Sequence, residues 1–180
     1  GRKGNDTIDG LGGKDIARYD GATSAVDVNL QTGIASDGYG STDTLRNIEA
    51  VFGSAYNDKI VGGNAANGSA VTDGFEFFQG NAGDDTIDGG TGWDRADYSL
   101  SYEGVTVKLG GTKAGSAQDG MGGKDVLINI EASRGSAFND SLFASDRKTF
   151  VTDGYFESFE GLEGDDTMDG SAGAATRVEF

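Results

Sequence analysis

A nine-residue period constrains this chain more than any other feature. Its form is G-x-x-G-x-D-x-(apolar)-x, at residues 1–9 (GRKGNDTID), 10–18 (GLGGKDIAR), 80–88 (GNAGDDTID), 89–97 (GGTGWDRAD), 120–128 (GMGGKDVLI) and 161–169 (GLEGDDTMD). Three further copies, 38–46, 53–61 and 135–143, keep the Asp and the apolar residue but replace the fourth-position Gly with Ser41, Tyr56 and Phe138. The first six positions form turns, because Gly supplies positive φ and lets carbonyls point inward. The last three, such as Thr7-Ile8-Asp9, read as a very short strand with one apolar side chain facing in. One such strand buries almost nothing, so the copies must stack on one another.

A longer period contains the short one. Residues 14–19 (KDIARY) are answered by 93–98 (WDRADY), and 26–30 (VDVNL) by 105–109 (VTVKL), each 79 residues on. Further along, 47–50 (NIEA) recurs at 129–132, 82 residues on, and 54–58 (SAYND) becomes 136–140 (SAFND). Residues 72–74 (TDG) return at 152–154. The expected organisation is one module with units 1–79 and 80–160 and a partial unit 161–180. The drift in offset puts a three-residue insertion between Leu109 and Asp119, which reads as a surface loop. The sequence opens at Gly1 already inside a repeat, so we expect the remainder of a larger parent protein.

Charge and residue types narrow the chemistry. Thirty acids face 14 basic residues, a formal net charge of -16, and there is no Cys, His or Pro. That charge repels phosphates, so nucleic acid and anionic membrane are not expected partners. No stretch approaches the roughly 18 apolar residues of a membrane span. Zinc and thiolate sites lack their donors, and neither a Ser-His-Asp triad nor a Cys-His pair can be built. A glycosidase needs one paired set of carboxylates, and no spacing singles one out, so no catalytic residue is expected. An EF-hand starting at Asp84 fails, with Thr86 at its third position and Arg95 at its twelfth. Acidic, Gly-rich chains are often disordered, but here the glycines, aspartates and apolar residues are phased. Calcium takes six to eight oxygens from carboxylates and carbonyls. Two Asp-closed turns stacked about 4.8 Å apart could supply them, and the tandem copies at 1–18, 80–97 and, in part, 161–173 offer such pairs.

The nonapeptides resemble the hemolysin-type calcium-binding repeats of RTX proteins, and the segments between them are similar to the spacers of large secreted repeat proteins. The resemblance implies an all-β fold, a parallel β-roll or right-handed β-helix solenoid built on calcium-binding turns. It implies several Ca2+ ions in rows along the edges. It also implies type I export in an unfolded state and calcium-driven folding outside the cell or at its surface. Carried over by position, the ligands are Asp6, Asp15, Asp85, Asp94, Asp125 and Asp166, assisted by carbonyls at Gly4, Gly13, Gly83, Gly92, Gly123 and Gly164. Asp43, Asp58 and Asp140 follow from the copies that lack the fourth Gly, and Ala175 stands where the third unit should have its second Asp.

Other residues admit plainer readings. Asp37, Asp73, Asp119 and Asp153 each precede a Gly, which a simple turn explains; at Asp73 and Asp153 a turn and a calcium ligand both stay open. Phe75, Phe77, Phe78, Tyr155, Phe156 and Phe159 follow pattern-breaking segments and read first as core. The alternative is a calcium-dependent adhesive or carbohydrate-binding module that meets a polysaccharide or cell-surface ligand through these rings. Trp93, inside a turn, is expected at the surface.

Overall fold

In a computed structural model, residues 2–63, 74–111, 113–146, 156–172 and 176–179 are described. Asp73, Asp153, Tyr155 and Ala175, singled out above, lie outside them. Among the described residues the chain forms eighteen strands and no helix, hence no helix long and apolar enough to cross a membrane.

The strands fall into two sheets. The first contains β1 (Thr7–Asp9), β3 (Asp27–Asn29), β4 (Ile34–Ser36), β5 (Thr42–Arg46), β7 (Lys59–Val61), β9 (Thr86–Asp88), β11 (Thr106–Lys108), β12 (Gly115–Gln118), β13 (Lys124–Ile128), β15 (Ser141–Phe143) and β17 (Thr167–Asp169). The second contains β2 (Ile16–Arg18), β6 (Ala50–Phe52), β8 (Phe77–Gln79), β10 (Arg95–Asp97), β14 (Ala132–Arg134), β16 (Glu157–Glu160) and β18 (Thr176–Glu179). Pairing in the second sheet is parallel throughout. In the first sheet the antiparallel strands are β4, between β3 and β5, and β12, between β11 and β13. The spatial order β1-β5-β4-β3-β7 recurs as β9-β13-β12-β11-β15. The extra residues after Leu109 fall at the turn of the second of these hairpins, between β11 and β12.

Consecutive nonapeptides feed opposite sheets: β1 lies in the first and β2 in the second, as do β9 and β10. The tandem turns expected to stack on each other therefore do not. Each stacks on a turn from elsewhere in the sequence.

Most strands send one residue into a single hydrophobic cluster lined by both sheets. Val28, Ile60, Ile87 and Leu127 follow one another in register across the first sheet. Across the second run Ala17, Val51, Phe78, Ala96, Ser133 and Phe159. Phe78 lies beside Ala96 and Phe159 beside Ser133, so each large ring adjoins a small residue. The aromatic segments thus divide. Phe78 and Phe159 are fully buried, whereas Phe75, Phe77 and Phe156 are half-buried.

Glycine is required at two positions of the nonapeptide. Gly4, Gly13, Gly83, Gly92 and Gly164, all at the fourth position, have φ between 117° and 146°, which other residues rarely adopt. At the first position a Cβ on Gly80 or Gly161 would overlap the carboxylate of Asp85 or Asp166, the closing Asp of its own turn. Gly123 departs from this set: its φ is not positive, and Gly122 takes φ 101° instead.

Ile87 is wholly buried between Ile60 and Leu127. Ile87→Ala should cost about 2–5 kcal/mol by urea unfolding in calcium; a cost under about 1 kcal/mol would mean that this cluster is not the core.

Candidate metal centre

Each strand's first residue is fixed in register with its neighbour's, so the residue just before it is stacked too. Along the first sheet this position brings Asp6 beside Asp43, Asp58 beside Asp85, Asp85 beside Asp125, and Asp140 beside Asp166. Backbone N–H groups cross between neighbours. Asp6 N donates to Asp43 Oδ1 (3.0 Å), Asp58 N to Asp85 Oδ1 (2.7 Å), Asp85 N to Asp125 Oδ1 (3.1 Å) and Asp140 N to Asp166 Oδ1 (2.9 Å). All nine aspartates proposed from the repeat precede a strand or lie at its start. Asp15 and Asp94 are the two that serve the second sheet.

That second sheet carries residues the repeat search missed. The same position holds Asp15, Glu49, Glu76, Asp94, Glu131 and Glu157 in unbroken spatial order. Asp15 N donates to Glu49 Oε2 (2.9 Å), Glu76 N to Asp94 Oδ1 (3.1 Å) and Asp94 N to Glu131 Oε2 (3.2 Å). The four glutamates escaped a pattern keyed on Gly-x-Asp, but a signal existed in the repeated NIEA. Asn47 and Asn129 adopt φ 52° and 50°, and their side chains donate to Asp9 and Asp88. Ile48 and Ile130 are buried, the Glu enters the acid row, and the Ala opens a strand.

The carboxylates differ in how fully they are satisfied. Asp58 accepts at both oxygens, from Val26 N, Ser54 N and Ser54 Oγ, and Asp140 does the same from Val105 and Ser136. These are the turns in which Tyr56 and Phe138 replace the fourth Gly, and a Ser takes over closure. By contrast Asp15, Asp85 and Asp94 each keep a buried Oδ2 with no hydrogen-bond partner. An orphaned carboxylate oxygen in a dry site is costly, and it is the hard donor that calcium takes. Among the described residues no group of three or more carboxylates could hold an ion unaided. Carbonyls of the Gly turns must therefore complete any coordination shell.

Burial raises the proton affinity of Asp85 and Asp94 and of two of their neighbours in the rows. Asp94 is pushed up to about 9 by burial, then by the charges of Glu76 and Glu131. Asp85 rises to about 8, from burial first and then the charges of Asp125, Asp58 and Asp119, against the opposing Asp58 N–H. Burial likewise takes Asp125 and Glu76 to about 7. Each group needs either a proton or a cation to remain buried.

Trp93 is half-buried, not on the surface. Its ring lies between Phe75 (5.3 Å) and Phe156 (5.9 Å), and its Nε1 donates to Phe156 O (2.8 Å). Lys14 Nζ sits 4.1 Å from the Phe75 centroid, over the ring.

Stacked Asp-closed Gly turns with open oxygen valences define a class, the calcium-binding repeat. The family model of the RTX calcium-binding nonapeptide repeat matches four times, at residues 1–21, 48–67, 71–99 and 152–174. Together these cover just over half of the chain, which belongs to that family and binds several Ca2+ ions across its repeats. No match covers 120–128, the copy whose fourth Gly lacks positive φ. No curated protein matches the chain.

The sign of the pH dependence follows from the raised values. Without calcium the folded chain holds protons that the unfolded chain releases above about pH 4. Stability is then fully present below about pH 4 and is lost as pH rises toward about 8 or 9. In chelator, far-ultraviolet circular dichroism should show more β-structure at about pH 5.5 than at about pH 8. Equal or greater β-structure at the alkaline pH would contradict this assignment.

Proposed function

We propose that this chain is a single calcium-dependent structural module of a secreted protein, a parallel β-roll that folds as its ions bind. The observation that carries the reading is the set of buried, unpartnered Oδ2 atoms on Asp15, Asp85 and Asp94, set in rows of like charge. Calcium at those turns would neutralise the rows and draw on carbonyls at Gly13, Gly83 and Gly92. Asp6, Asp43, Asp125 and Asp166 extend the same rows, whereas Asp58 and Asp140 serve chiefly to close their own turns. In this reading the three sequence units are parts of one roll, and the role is structural rather than catalytic.

Physics favours export before folding. A chain at -16 repels itself, and ordering Gly-rich turns costs backbone entropy. Binding energy would become folding energy, as in other metal-dependent domains. Extracellular modules bind calcium at roughly 10⁻⁴–10⁻³ M, so such sites fill outside the cell and stay empty in a calcium-poor cytosol.

At neutral pH, far-ultraviolet circular dichroism should show a disordered chain in chelator and cooperative gain of β-structure in millimolar calcium. Trp93 fluorescence should change with the same midpoint. Identical spectra in the two conditions would sink the reading.

A further inference from the structure

The outer face of the second hairpin differs in charge from that of the first. Thr106 and Lys108 on β11, Ser116 and Gln118 on β12, and Lys124 on β13 alternate with the buried Val107, Ala117 and Asp125, so they share the outward side. Register sets Thr106 opposite Gln118, Lys108 opposite Ser116, and Gln118 opposite Lys124. The first hairpin holds Asp27, Asn29, Ile34, Ser36 and Thr42 at the corresponding places. One acid and no base there become two bases and no acid here, in a chain whose net charge is -16.

Neither lysine is neutralised within the fold. In the first hairpin Asp27 pairs with Lys59 at 3.9 Å. In the second, no described carboxylate comes within ion-pair distance of Lys108 or Lys124. Lys108 reaches over Phe143, 5.6 Å from the ring centroid. Both lysines line a cavity of about 180 Å³, with Thr106, Ser116, Ala117 and Gln118. Its walls offer ammonium groups, hydroxyls and an amide, all able to donate, and no carboxylate. Cavities that enclose a drug-sized molecule run to roughly 300–1,000 Å³, so this one admits a single ring of a longer chain. The line from Lys124 through Gln118 and Thr106 continues in register to Ser141 and Thr167, one polar side chain per strand.

We propose that this face binds an acidic polysaccharide. The carboxylate or sulfate of one sugar sits between Lys108 and Lys124, and its hydroxyls meet Thr106, Ser116 and Gln118. Other polyanions fit less well. Nucleic acid carries one charge per roughly 1.7 Å and would meet the carboxylate rows along both sheets. An acidic peptide that adds as a strand needs a free sheet edge, whereas β11, β12 and β13 are bonded on both sides. A hydroxyl-rich chain with sparse charges matches what the cavity offers. The site is separate from the stacked rings of Phe75 and Trp93, which flank strands of the second sheet. It requires the first sheet, not any particular ion position.

The full chain in millimolar calcium is titrated with trigalacturonate, sulfated maltotriose and neutral maltotriose, and each titration is followed by amide chemical shifts. At least one acidic probe should shift Thr106, Ser116 and Gln118, and the neutral probe should not. The carboxylated and sulfated arms distinguish the two anionic groups. The double variant Lys108→Gln, Lys124→Gln should weaken that binding about tenfold, with circular dichroism to verify its fold. No shift with either acidic probe, shifts centred elsewhere, equal binding of neutral maltotriose, or unchanged affinity in the folded variant overturns the proposal. Should the variant fail to fold, the shift map of the unaltered chain decides: shifts centred on Thr106, Ser116 and Gln118 with an acidic probe alone support the site, and any other pattern overturns it.

Discussion

Carboxylates repeat along the edges of both sheets at the spacing of neighbouring strands, about 4.8 Å, and backbone N–H groups tie several to the next. Two unit charges at that distance repel by roughly 3 kcal/mol at an effective dielectric near 20. One hydrogen bond returns about 1 kcal/mol net. Repulsion therefore wins wherever successive acids are ionised and no cation intervenes. The rest of the molecule accommodates this conflict. The first Gly of a turn makes room for the carboxylate, and the fourth turns the backbone through positive φ. The apolar residue two places after the Asp supplies the core that keeps the acid in line.

The rows are not uniform, and their differences have physical causes. Where a Ser follows the first Gly, at Ser54 and Ser136, its hydroxyl and N–H satisfy the Asp, and the fourth Gly becomes dispensable. Where no such Ser exists, as at Asp85 and Asp94, an oxygen stays unpartnered and burial lifts its proton affinity far above the usual carboxylate range. Turns of one apparent motif thus divide into those closed by the protein and those open to an ion.

Much of this was legible in the letters. The nine-residue phase located the Asp-closed turns and the one inward residue of each strand, and Ile8, Ile87 and Met168 occupy the positions that phase assigns. Two things were hidden. The stacking partner of a turn depends on which sheet each strand joins, so the tandem pairs 1–18 and 80–97 could not reveal that their members lie in opposite sheets. The glutamates of the second row share a structural position but no local pattern with the aspartates. Only strand register aligns Glu76 and Glu131 with Asp94. Trp93 was misjudged for a related reason, since Phe156, 63 residues away, covers it.

Amide hydrogen exchange at neutral pH, resolved at the residues that donate across the rows, tests the dependence of the fold on its cations most directly. Asp58 N and Asp85 N report on the first sheet, and Asp15 N and Asp94 N on the second. Exchange at all four should be rapid in chelator, with joint protection in both sheets when calcium is added. Equal protection with and without calcium would contradict it, because the rows would then be held by the protein alone.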